Sequence, residues 1–421
     1  MKTRHIAHII IEAKTALKVG SNASDFLQDS PIQKDWNGLP MILGTSIAGV
    51  LRKDFDKTKK NDIFGKDNGS KVIFSNALLL DENQKVCEEL LLEKSKFLQI
   101  FDNLPIREHT AITDKGVADN NSKFDEEVLY KGTRFKFSIE MIEDEKKSFD
   151  EVLNLLSSSS FRIGGGSTKG FGKIKVIEIK TASFDIDSYV NYSSSLNYLG
   201  LEVLNNLLGD TQPTNYIIYT LKITPDDFFM FGSGFGDSDA DLTPVYEKVI
   251  DYSKAKLSHK KILIPASSIK GALAHRTVYH YNLQQKLFIG DKNARTTISE
   301  LFGEAKNSKK DIDGSKGKIL ISDCFKPNHN QSKTFDHVSI DRFTGGAIDG
   351  ALFQEKTIAD SREYEIEILL ENLENSVKDE YREAFESALK DITTGMLPLG
   401  GMTTKGHGIF SGEVYRDGEK L

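Results

Sequence analysis

RIGGGSTKGFGKIKV (162–176) recurs as PLGGMTTKGHGIFSG (398–412). Laid over one another without a gap, 163–174 and 399–410 share six identities in twelve positions: Gly164/Gly400, Gly165/Gly401, Thr168/Thr404, Lys169/Lys405, Gly170/Gly406 and Gly172/Gly408. A common taste for glycine explains the glycines. It does not explain a Thr-Lys-Gly core at the same offset, so the two stretches read as copies of one element.

Working outward, other blocks recur in the same order. PMILGTSIAGVLR (40–52) is echoed by LIPASSIKGALAH (263–275), and IFGKDNGSKVIFSNA (63–77) by LFGEAKNSKKDIDGSKGKILISDC (301–324). His109 followed by Glu127 is echoed, at an identical spacing, by His337 followed by Glu355. A tandem duplication is the economical account, with units at 1–180 and 215–421. Between them lie TASFDIDSYVNYSSSLNYLG and GDTQPTN, whose serines and proline read as linker. The apolar stretch 196–208 is expected to pack as a helix between the halves.

The composition agrees. A chain of 421 residues is too long for one ordinary core, and a hydrophobic content of 38% is enough for two. No run of eighteen apolar residues occurs, so no membrane span or membrane partner is expected. The opening MKTRHIAHIIIEAK lacks the long apolar core and cleavage site of an export signal. Cys87 and Cys324 stand alone, without a CxxC pair, which suggests neither zinc nor a disulfide framework and fits a reducing cytoplasm. A net charge of −7 argues against indiscriminate coating of polyanions but leaves room for a local basic track.

Within each unit the patterns read strand, helix, strands, helix, strand. The strands open at 8–13 and 216–223. Helices follow at Thr45-Ser46 and Ser267-Ser268, where hydroxyls suit an N-cap. Phe149, Val152, Leu153 and Leu156 share one helical face, as do Tyr381, Phe385, Ala388, Leu389 and Ile392. Each helix runs into the glycine-rich loop, and strands follow at 173–179 and 409–415. That order is an α+β, ferredoxin-like (RRM-like) module, an antiparallel sheet backed by helices with its other face open for a ligand.

The glycine-rich loop is not a Walker A loop, because no GK[ST] follows it and no helix opens after it. It is not a dinucleotide fingerprint, because it follows a helix and leads into a strand. Two readings remain: a tight helix-to-strand turn, or a loop whose N–H groups approach an anion with Lys169 or Lys405 alongside. Lys270 and Arg276 lie near the start of a helix, where the helix N-terminus favours anions. The first unit has Ala48 at the lysine position, with Arg52 nearby. Asp25, Asp29 and Asp35 crowd one loop, and Asp237, Asp239 and Asp241 the matching loop. Such residues are turn formers, metal ligands or proton acceptors. His109 and His337 suit a phosphate contact, acid–base work or a turn cap.

Together these pieces resemble the RAMP superfamily (repeat-associated mysterious proteins), in particular the backbone subunits of type III CRISPR effector complexes. The resemblance rests on Asp29-Ser-Pro-Ile, IPASSIKGALAHR (264–276), HVSIDRFTGGAIDGALFQEKTI (337–358) with its Arg342, and both glycine-rich loops. It implies a subunit that holds CRISPR guide RNA and meets complementary target RNA, in company with other type III subunits. It implies thumb-like insertions at 107–130 and 335–358. It also implies target cleavage with a ribose 2′-OH as nucleophile, Mg²⁺ or another divalent cation, and a catalytic aspartate that maps onto Asp29. Asp241 is one residue out of register with Asp29, so the second unit is the weaker candidate, with Asp25 and Asp239 as neighbouring carboxylates. A non-catalytic guide-binding subunit and a guide-processing endoribonuclease are the alternatives.

Overall fold

A computed structural model describes residues 3–421 apart from 22–30, 67, 114–115, 121, 143–144, 205–214, 290, 292, 305–312 and 373–375. The framework of the first unit runs β1 (Arg4–Ala13), α1 (Gly44–Asp54), β2 (Val72–Phe74), β3 (Ala77–Leu79), β4 (Arg134–Met141), α2 (Lys146–Leu156) and β5 (Ile174–Phe184). The second runs β6 (Tyr216–Pro225), α3 (Ala266–Gln284), β7 (Ile319–Ile321), β8 (Tyr364–Glu371), α4 (Asp379–Thr393) and β9 (Phe410–Arg416).

In β1, Ile6, Ile9, Ile10 and Ile11 favour extended backbone, since branching at Cβ crowds a helix. β1 lies between β4 and β5, both antiparallel, with His5 opposite Met141 on one side and Ser183 on the other. β2 and β3 are two pieces of one broken strand along the far side of β4. The second sheet repeats the order: β6 between β8 and β9, and β7 outside β8. In each unit the first strand is central, flanked by the third and fourth, which is the ferredoxin-like arrangement. Each sheet has its own core, with Phe135, Phe137, Phe149 and Leu153 in one and Tyr219, Tyr364, Phe385 and Leu389 in the other. Each such side chain, fully buried, contributes about 1.5–3 kcal/mol.

Three expectations change. First, the helices begin one residue before the hydroxyls, and no N-cap side chain serves them. The cap comes instead from the broken strand. Asn76 Oδ1 accepts from the Gly44 N–H at 3.0 Å, and Asp323 Oδ1 accepts from the Ala266 N–H at 2.9 Å. Both residues follow a serine where the second strand leaves its ladder, in FSNA and ISDC.

Second, only one sheet keeps a half-open face. In β6 burial alternates, leaving Thr220, Lys222 and Thr224 half-exposed. In β1 nearly every residue is buried, because Leu80, Val86 and Leu196 pack over Ile10 on the face away from the helices, while Tyr192 meets His8 Nε2 at 3.2 Å. Third, the described part of 196–208 is not helical. It turns back over the first sheet, and Glu202–Val203 adds an edge strand beside Lys180 and Thr181.

Each unit also projects a two-stranded arm. Ile106–His109 pairs with Phe124–Glu127, and Ser332–His337 pairs with Phe353–Ala359. They occupy the two regions expected to be thumb-like.

Candidate nucleic-acid interface

The glycine-rich loops are built alike. Gly164 has φ +85° and Gly400 φ +94°, and a Cβ there would stand 2.1 Å from the Lys18 carbonyl oxygen or 2.3 Å from that of Met230. The loop therefore seats against the chain leaving the first strand only if these positions are glycine. The N–H groups of Gly165, Lys169, Phe171 and Gly172 already donate to carbonyls of Lys18, Gly166, Gly166 and Ala16. In the second loop the Gly401 N–H donates to the Met230 carbonyl at 2.7 Å, and those of Lys405 and Gly408 to the carbonyls of Met402 and Phe228. Gly165 and Gly401 thus tie the loop to the first strand's exit, and Gly164 and Gly400 permit that close approach, while Gly164, Gly165 and Gly400 stay exposed. Those donors serve the turn rather than an anion. What the loop offers is a short turn, Ser167–Lys169 or Thr403–Lys405, that lifts threonine and lysine out of it.

Each lysine meets an arm. Lys169 Nζ lies 4.8 Å from the centre of the Phe124 ring, and Lys405 Nζ lies 4.4 Å from that of Phe353. On the same rings stack His109 (5.0 Å) and His337 (4.8 Å). His109 Nε2 stands 3.1 Å from Glu126 Oε2, off the hydrogen-bond axis, and His337 Nε2 stands 3.0 Å from Glu355 Oε2. Strand register places His109 opposite Phe124 and His337 opposite Phe353, so the counterpart of Glu355 is Glu126. The equal spacing to Glu127 misled, because the second arm is one residue longer. Glu127 instead accepts from the Ile32 N–H at 2.9 Å.

Burial alone would raise the Glu126 carboxyl, but contact with His109, the ion pair with Lys18 at 2.6 Å and the charge of Lys169 hold it down at about 2. Glu355 has two histidines instead, with His407 Nε2 at 3.6 Å in the place of Phe171. Both arm histidines are thus tied to carboxylates, which argues against a free phosphate contact.

The first unit grips the second through the same elements. Gly170 (φ +105°) is buried against the start of α3; a Cβ on it would stand 2.3 Å from Asp323 Oδ1 and 2.6 Å from Ala266 Cβ. Arg107 of the first arm is 7% exposed, forks onto Glu247 through Nε and Nη2, and donates from Nη1 to Asp323 Oδ2 at 2.7 Å. Burial alone would weaken its charge, but Asp323 and Glu247 outweigh it and keep the guanidinium protonated. Lys173 reaches Glu367 at 2.6 Å, and His275 Nε2 meets the Ile112 carbonyl at 3.2 Å. The corresponding Gly406 is exposed, with nothing within 4 Å of its Cβ position.

This docking packs the Ser167–Lys169 turn of one unit against α3 of the other, so that the charge of Lys169 acts on Lys270. Burial pushes Lys270 down to about 8, helped by the neighbouring charges of Lys169 and Lys316. Among the charges that act on it no carboxylate figures.

The remaining candidates divide. Arg276 is ion-paired with Asp391 of α4 and lies over Tyr279, a helix–helix contact rather than a free cation. Arg52 donates to Asn61 Oδ1 at 3.1 Å on the far end of α1. Arg342 and Thr404 are exposed, and Thr168 half-buried. Asp237 lines a cleft of about 580 Å³ between the first arm and Ser267-Ser268 of α3. Asp237 and Asp239 both bind Lys356, at 2.6 and 3.1 Å, and Asp241 Oδ2 accepts from the Gln354 N–H at 2.8 Å. An ammonium thus sits where a cation between those carboxylates would, and among the described residues no group of three His, Cys, Asp or Glu is placed to hold a metal ion. The described acidic loop does not fit a divalent ion. Asp25 and Asp29 lie outside the described residues.

A model of the RAMP superfamily matches residues 10–175 and 230–411, one match per unit. The chain belongs to the RAMP superfamily. Membership makes this RAMP chain a CRISPR-associated subunit that binds RNA. No curated protein matches it in sequence. No helix among its described residues is long and apolar enough to cross a membrane. The sequence missed Phe124, Phe353, Arg107, Glu247 and Asp323. Asp323 had a local signal in its repeated block, and Phe353 one in its place within 337–358.

Proposed function

We propose that this RAMP chain is a fused backbone subunit of a type III CRISPR ribonucleoprotein that holds guide RNA across the joint between its units. The observation that carries the proposal is the packing of the Ser167–Lys169 turn on α3, which brings the charge of Lys169 to bear on Lys270 while Glu126 stands 4.0 Å from Lys169. Two like charges held together are unfavourable alone and favourable around a phosphate, whose oxygens pair with both. The exposed Thr404-Lys405 turn offers a second, weaker contact one unit further on, and in this reading the arms are the parts that meet a complementary target strand. Partners in this reading are guide RNA, target RNA and further type III subunits.

The double variant Lys169→Ala/Lys270→Ala is expected to weaken single-stranded RNA binding and to flatten the slope of log K against log salt by about 0.7, the contribution of one neutralised phosphate on a single strand. Fluorescence anisotropy over a salt series measures both. An unchanged affinity and slope would sink the proposal.

A second reading adds target cleavage. The engagement of Asp237, Asp239 and Asp241 with Lys356 and Gln354 favours the first unit, so Asp29 is the carboxylate proposed to act, with Mg²⁺ or another divalent cation held in its loop. Asp29→Ala is expected to abolish one cut in complementary RNA while Asp241→Ala leaves the cut pattern intact. Gel mapping of products from the assembled complex decides, and persistence of every cut in Asp29→Ala removes the assignment.

A further inference from the structure

We infer that Arg107 is the positioning residue of the composite RNA site: it touches no RNA, and through Asp323 it holds the first glycine-rich loop, which carries Lys169, against the start of α3, which carries Lys270. The inference rests on the RNA reading above and adds to it the device that assembles the site.

The contacts form one connected set. Arg107 lies in the first arm, two residues before His109, and its guanidinium is buried 4.9 Å above the ring of Phe171, the residue that follows Gly170. Its Nη1 binds one oxygen of Asp323. The other oxygen of Asp323 accepts from the first N–H of α3 and is the atom against which Gly170 packs. One carboxylate therefore meets the arm, the loop and the helix end, and Arg107 is the cation that lets it stay charged in a buried place. Burial pushes the Asp323 carboxyl upward, and Arg107 opposes that shift. A protonated or displaced Asp323 would loosen the Ala266 cap and the seat of Gly170 together. Lys270 is one helical turn from Ala266, and Lys169 adjoins Gly170, so both phosphate-facing groups move with this carboxylate.

The second unit shows the arrangement without the ion pair. Phe335 takes the place of Arg107, packing 5.5 Å from the His407 ring as Arg107 packs on Phe171. In the first unit Asn76, an uncharged amide, makes the helix cap that Asp323 makes in the second. Charge at the cap position and arginine in the arm occur together, at the internal joint.

The test measures affinity for a labelled single-stranded RNA by anisotropy, at fixed salt and at a temperature where circular dichroism shows the full chain folded. Arg107→Met leaves two buried carboxylates unpaired and is expected to weaken binding about tenfold, a coupling within the range seen for residues of one polar network. Arg107→Lys, with charge but no fork, is expected to recover only part of it. Arg107→Met with Glu247→Gln and Asp323→Asn keeps an amide cap, as Asn76 does, and is expected to return affinity to within about twofold of the parent. The neutral triple variant also answers if the single variant does not fold. Unchanged affinity in Arg107→Met overturns the inference, and so does a folded triple variant as weak as Lys169→Ala/Lys270→Ala. That lysine pair is the separate control: if its loss leaves affinity unchanged, the RNA reading fails whatever Arg107 does.

Discussion

Lys270 is the residue whose chemistry most depends on its surroundings. An exposed lysine keeps its proton to above pH 10; this one, pushed down by burial and by Lys169 and Lys316, releases it near pH 8. The sign follows. Above pH 8 the free protein holds Lys270 neutral, while a bound phosphate requires it charged, so RNA affinity is expected to fall by about tenfold between pH 7 and pH 9, one pKa unit being a factor of ten. Stability without RNA moves the other way, rising from pH 8 toward 10.5, because the unfolded chain binds the extra proton. Lys270→Arg, permanently charged, is expected to flatten the affinity profile. A profile equally steep in Lys270→Arg would assign the titration to another group. The sequence showed Lys270 as a basic residue near a helix start; it could not show that the neighbouring charge belongs to the other unit.

At the scale of elements, each first helix is capped from outside. A helix leaves its first N–H groups without partners, and an Asn or Asp oxygen supplies one wherever in the chain it comes from. Here it comes from the break in the second strand, at Asn76 and Asp323. Asn76→Ala is expected to lower the stability of the first unit by about 1 kcal/mol, whereas Thr45→Ala and Ser46→Ala, the caps that local reading selects, cost little. Denaturant titration followed by circular dichroism measures the difference, and equal costs would return the cap to the hydroxyls. The element order and the helical faces around Phe149 and Phe385 were legible in the sequence, since periodicity and turn chemistry act over a few residues, whereas the arms were expected only from the family resemblance. The cap was not, since it depends on a strand end folding back 32 residues to Gly44. The covered face of the first sheet was missed for a similar reason: the apolar stretch suggested a helix, and in its described part Leu196 packs on Ile10 and Leu80 instead.

Over the whole molecule, two units of like design have unlike surroundings. Gly170 of the first glycine-rich loop is buried against α3 and its counterpart Gly406 is exposed; the carboxylate of the first arm is held by Lys18, and that of the second by His337 and His407. Equivalence in the sequence therefore became asymmetry in the fold, because only one unit has the other docked on it. By itself the sequence determined the duplication, the α+β order of each unit and the pair of Thr-Lys-Gly turns, all properties that neighbouring residues encode. Only the tertiary structure decided that Arg107 is a buried joint residue, that Arg276 belongs to a helix–helix contact, that the N–H groups of Gly165 and Gly401 bind the chain's own carbonyls, and that the charge of Lys169 acts on Lys270. Arg107 and Asp323 stand 216 positions apart, and what brings them together is the burial of one unit's arm in the other, an energy spread over two cores and written in no short stretch of either.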